Sequence, residues 1–191
     1  MKYREYLKCA HKHLRSCKLL LDAYTPGSNY DLFVWLDLYY LSGYVIEGIV
    51  VYSAYKSYGW EESRDIQYDY DVEFSKLTGL DFYDKRWVPD EDSEAYRYFS
   101  KRSGSDVKSV QSHKFQPIVY DLLHKIPSFN GIPYIGDGCI DEDIKQLIDD
   151  WNPKVRYEYE YKKANNHFLS KDIIVGLIDT CCEIYNKTYL I

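Results

Sequence analysis

The sequence has no glycine-rich phosphate loop, no Gly-x-Ser-x-Gly elbow, no His-Glu-x-x-His pair and no Walker pattern. Those absences remove the commonest routes to hydrolase, kinase and metalloprotease chemistry. The five cysteines, Cys9, Cys17, Cys139, Cys181 and Cys182, are odd in number and show neither Cys-x-x-Cys nor Cys/His ligand spacing. Such a pattern suits reduced thiols in the cytoplasm, not a disulfide framework or a zinc site. His11 and His13 stand two apart, so a helix does not present them together to a metal. No metal and no cofactor is expected. The opening stretch, residues 1–18, lacks the apolar core of a signal peptide, and none is expected.

What is present is tyrosine: 22 of 191 residues, beside 7 Phe and 4 Trp. Tyrosine buries a ring while its hydroxyl stays with water or a partner. A chain so rich in it suits a helical core, an oligomer interface or a surface on which bases stack. The length fits one domain with a true core. The net charge of −6 argues against general attraction to nucleic acid. The longest apolar run, residues 38–55, contains Glu47 and five Tyr. It is marginal for a membrane span and reads better as the buried central helix of a bundle, with no membrane partner.

Residues 2–24 read as an amphipathic helix, with Tyr3, Leu7, Ala10, Leu14, Cys17 and Leu21 at steps of three and four. Pro26 and Gly27 break it. A second helix, apolar almost all round, is predicted from about Tyr30 to Tyr58, stopped at Gly59. Residues 60–105 hold 12 acids and 7 bases and read as an irregular insertion. A third core helix is predicted from Lys114, its apolar face made by Phe115, Val119, Leu122, Leu123 and Ile126. Asp141, Glu142 and Asp143 open a short helix with Ile144, Leu147, Ile148 and Trp151 inward. The alternation of Val155, Tyr157, Tyr159 and Tyr161 with charged residues predicts a short extended piece near 155–162; a helix begun by Asn152 and Pro153 is the rival. Ser170 caps a last helix. The expectation is an all-α antiparallel helical bundle spanning 1–191 as one domain.

Three stretches carry a family resemblance. Residues 38–51 set Glu47 among small and apolar residues. Residues 112–123 open on His113. Residues 147–157 run from Trp151 to Arg156 and Tyr157. In order and spacing they resemble the second helix, third helix and Trp-then-Arg-Tyr segment of the HEPN family of nucleotide- and RNA-associated helical domains. The resemblance covers roughly residues 2–58 and 112–190. It implies a helical bundle, often a homodimer. Many members are ribonucleases using an Arg-x(4–6)-His motif; others serve as inactive partners of nucleotidyltransferases in two-component, toxin–antitoxin-like modules. Here the positions five to seven after Arg156 are Tyr161, Lys162 and Lys163, and the nearest downstream histidine is His167. Val51 replaces the lysine often found four residues after the helix-two glutamate. The expectation is therefore a non-catalytic module that binds RNA, a nucleotide or a partner protein. The alternatives are a ribonuclease with a site rearranged from Arg156, His113, Glu47 or His167, and a structural homodimer subunit.

Apart from the resemblance, Arg4, Lys8, His11, Arg15 and Lys18 recur at steps of four and three and form one helical stripe. Residues 2–18 hold six Lys or Arg against Glu5 alone, a net +5 that leaves −11 on the rest of the chain. Such a stripe suits a phosphate backbone or a solvated face. The candidate binding residues are thus Arg156, Tyr157, His113, Glu47, Arg4, Lys8, His11, Arg15 and Lys18.

Overall fold

The computed structural model describes residues 2–27, 31–63, 76, 80–81, 108–109, 115, 119, 140–157 and 169–189. The fold is all-α. Among the described residues run α1 (Arg4–Ala23), α2 (Asp31–Tyr58), α3 (Glu142–Asp150) and α4 (Lys171–Tyr189). A two-residue strand β1 (Leu80–Asp81) pairs in parallel with β2 (Lys108–Ser109), Leu80 opposite Lys108. The expected insertion at 60–105 and the helix from Lys114 fall largely outside these residues; Phe115 and Val119 are helical and buried.

The helix boundaries have local causes. The α1 helix ends with the Tyr24 N–H on the Leu21 carbonyl at 3.2 Å, and Pro26 and Gly27, the latter at φ 94°, turn the chain. At the end of α2, Gly59 takes φ 79°, its N–H bonds to Lys56 O and the Trp60 N–H reaches back to Tyr55 O. The Trp60 ring meets the Tyr55 ring edge-on at 5.4 Å. These are the two backbone bonds and the apolar contact of a Schellman stop, which needs a residue at ease with positive φ. The Asp141 carboxylate accepts from the Asp143 N–H at 2.9 Å to open α3, and Ser170 Oγ accepts from the Ile173 N–H at 3.4 Å to open α4.

Packing fixes the directions. Tyr3 at the start of α1 meets Tyr52 and Tyr55 late in α2, while Tyr24 just past α1 meets Trp35 early in α2. The two helices are antiparallel. Cys181 Sγ lies 3.8 Å from Ser42 O, and Tyr185 stacks on His11, so α4 runs antiparallel to α1 and alongside α2. The α2 helix is the centre: fifteen of its 28 residues are buried. It is long and apolar enough to cross a membrane by composition, yet 67% of that apolar window is buried in the bundle. Gly43 and Gly48 allow the closest approaches. A Cβ at Gly43 would stand 1.8 Å from the Trp151 ring, and one at Gly48 would stand 2.7 Å from Tyr6 O. The Tyr39 hydroxyl donates to Leu147 O at 2.7 Å and ties α3 to this centre.

One expectation is corrected. Residues Pro153–Tyr157 form a 3-10 helical turn where the alternation at 155–162 predicted an extended piece. Asn152 Oδ1 accepts from the Lys154 N–H at 2.9 Å, and Asn152 O accepts from the Val155 N–H at 3.0 Å. Pro153, with φ preset, occupies a first-turn position it favours. The capped turn prevails over an alternation too short to specify a strand without a pairing partner; residues 158–162 lie outside the described set.

Candidate functional site

A groove of about 890 Å³ opens where α1 begins and α2 and α4 end. The α1 helix contributes Arg4, Leu7, Lys8 and His11, α2 contributes Tyr52 and Lys56, and α4 contributes Tyr185, Asn186 and Tyr189. Each helix offers its pair, trio or quartet largely for one reason: residues three or four apart share a face. The antiparallel register then brings three separate faces together. Three permanent cations line the groove, and no acid stands among its described lining residues.

The aromatic side is ordered. His11 stacks on Tyr185 with centroids 5.4 Å apart and planes 18° apart, and Tyr185 stacks on Tyr189 at 6.0 Å and 19°. The three rings form a ladder whose outer member, Tyr189, is 68% exposed. Burial, then the neighbouring Tyr189 and Tyr52 phenols, raises the Tyr185 hydroxyl above its ordinary pKa, so it remains a neutral donor. Lys56 Nζ lies 5.5 Å from the centre of the Tyr52 ring, a cation–π placement. Arg4 Nη2 pairs with Glu62, just beyond α2, and both side chains are exposed.

Of the predicted basic stripe, Arg4, Lys8 and His11 enter this groove, while Arg15 and Lys18 lie exposed farther along α1, outside its lining. The Tyr52, Lys56, Tyr185 and Tyr189 contributions were missed in the sequence. Their only signal there is spacing, two pairs four residues apart near helix ends, and spacing alone does not say which helices meet.

Glu47 and Arg156 lie on the other side of α2. The half-buried Tyr40, Tyr44 and Glu47 share one face at steps of four and three. Arg156 is exposed. It donates to the Tyr157 hydroxyl, holds its guanidinium carbon 4.4 Å from the centre of the Tyr157 ring, and lies within electrostatic reach of the Tyr40 phenol. These phenols are the main influences on Arg156 and raise its pKa. The Tyr40 hydroxyl donates to Tyr44 at 3.4 Å, and the Tyr44 ring lies 5.6 Å from His13 and 5.1 Å from Trp151. Burial, then Tyr40, then the Glu47 carboxylate push the Tyr44 phenol strongly upward. Burial and Glu47 likewise push Tyr6 up to about 12. His13 is pushed below its ordinary value, chiefly by burial and then by Lys12, with Glu47 opposing. Tyr44 thus lies within electrostatic reach of both Glu47 and Arg156. His113 and His167 lie outside the described residues. Tyr157 is 70% exposed.

The two cysteines of the core, Cys17 and Cys181, flank Ser42, with Cys17 Sγ 4.0 Å from Ser42 Oγ. Burial raises both thiols, Cys17 to about 11. Among the described residues no cluster of three or more His, Cys, Asp or Glu has the geometry to hold a metal ion. Set against known protein families, curated proteins and solved structures, the chain matches none.

Proposed function

We propose that this protein is a divergent HEPN-like helical module that binds RNA or a nucleotide without cleaving it, through the groove between α1, α2 and α4. The observation that carries the reading is the groove itself: Arg4, Lys8 and Lys56 stand around a stack of His11, Tyr185 and Tyr189. Cations draw a phosphate backbone and aromatic faces hold bases. On this reading the chain acts in the cytoplasm as a homodimer, or beside a nucleotidyltransferase-type partner.

The test is fluorescence anisotropy with a labelled oligoribonucleotide across a salt series. Three phosphate contacts on a single strand give a log–log slope of about −2, a loss of about twentyfold between 50 and 200 mM salt. Reversing Lys8 and Lys56 to Glu removes the binding while the helical circular dichroism spectrum stays. Absence of binding at low salt refutes the reading. Gel analysis of the same RNA checks the other half: cleavage that disappears in Arg156→Ala would make the protein a ribonuclease working from the Tyr40–Arg156 side of α2.

A further inference from the structure

We infer that the groove selects an unpaired strand, with one base extending the His11–Tyr185–Tyr189 ladder and the adjoining phosphates lying along Arg4, Lys8 and Lys56. This inference rests on the binding function proposed above and names the state of nucleic acid that function requires.

The three rings already lie against one another, 5.4 and 6.0 Å apart and nearly parallel. A base cannot enter between them without parting the ladder. The free face is that of Tyr189, the last residue of α4, 68% exposed. A ring this exposed contributes little to the core. It offers an end platform. Stacking there needs a base with an open π-face, and every base inside a duplex has both faces covered. An unpaired end or a looped-out base meets the requirement.

Lys56 comes from α2 and Arg4 and Lys8 come from α1, so the cations reach the groove from two helices and none is a member of the ring ladder. The volume of about 890 Å³ lies near the top of the range of about 300–1,000 Å³ for small-molecule sites. That leaves room for backbone beyond one nucleotide. Stacking tolerates any base, so recognition is of strand state and not of sequence.

Anisotropy with the full chain separates this inference from the broader one. The probes are a labelled ten-nucleotide unstructured RNA and the same sequence in a duplex whose two end pairs are capped by covalent linkers. The expected result is at least tenfold tighter binding of the single strand. Tyr189→Leu, an exposed change that leaves the core untouched, weakens the single strand about fivefold to a hundredfold. Tyr189→Trp retains or tightens it. The salt slope stays the same in both variants, because the phosphate contacts remain. Equal binding of duplex and single strand, or an indifferent Tyr189→Leu beside a damaging Lys8→Glu, overturns the strand-state inference and leaves the groove as an RNA site. No binding of either probe at low salt overturns both.

Discussion

Replacing Gly43 by Ala sets two effects against each other, and the structure decides the sign. Alanine in mid-helix gains about 1 kcal/mol of propensity over glycine. Against that, the new methyl would sit 1.8, 2.0 and 2.2 Å from three atoms of the Trp151 ring. Carbon atoms are comfortable at about 3.5–4.0 Å, so the ring must retreat by roughly 1.5 Å or more. It has nowhere easy to go: Trp151 is 3% exposed, Phe115 stacks on it at 5.5 Å and Tyr44 meets it edge-on at 5.1 Å. Overpacking a core costs about 1–3 kcal/mol, and a rigid bicycle held by two further rings belongs at the upper end. The net expectation is a loss of about 2 kcal/mol, or about 4–8 °C in Tm for a chain of this size. Urea titration followed by circular dichroism measures it. The control is the same change on a Trp151→Leu background, where the methyl meets space and Gly43→Ala becomes neutral or mildly stabilising. A Gly43→Ala protein as stable as the parent, or a coupling between the two positions below about 0.5 kcal/mol, would refute the packing argument.

Other outcomes follow from the same geometry. Glu62→Gln frees Arg4 from its ion pair and should tighten RNA binding at low salt, most visibly by anisotropy below 50 mM, since the pair is exposed and salt weakens it; unchanged affinity would show that Arg4 plays no part. His13 is depressed in the fold, so the unfolded chain binds its proton more readily. Its contribution to stability is full above the ordinary histidine pKa of about 6.5 and falls as pH drops through that value toward the folded one. Thermal melts from pH 8 to pH 5 should show Tm declining, with a shallower decline in His13→Gln. Mass spectrometry after brief iodoacetamide treatment should find Cys9, which is exposed, modified before the half-buried Cys182, and Cys17 and Cys181 modified only in denaturant.

The long helices were legible because their signals are local. Apolar steps of three and four mark α1, an apolar run with Glu47 marks α2, and Gly59, Asp141 and Ser170 sit at boundaries whose bonds involve only near neighbours. The piece around Val155 was misread for the same reason in reverse. Alternation over a few residues resembles a strand, but the cap at Asn152 and the fixed φ of Pro153 close a helical turn first. Half of the groove was legible: Arg4, Lys8 and His11 share one helix face. The other half was not, because Lys56 and Tyr189 reach it only through the register of three helices. Tyr44, within electrostatic reach of both Glu47 and Arg156, is a phenol that neither charge pattern nor spacing distinguishes from the other tyrosines of α2.

The burial of α2 also sets how the molecule opens. This helix touches α1, α4 and the 3-10 turn and reaches α3 through the Tyr39 hydrogen bond. No one of these partners can detach without wetting part of a helix that has fifteen buried residues. Partial opening therefore costs nearly as much as complete opening, and the helices around α2 behave as a single cooperative unit. Amide hydrogens in the middle of α2, around Val45 to Val51, should exchange with deuterium only when the whole unit opens, and with one common opening free energy. The exposed last turn of α4 at Tyr189 can fray on its own, so the stacking platform is the part of the groove free to adjust while its floor stays fixed.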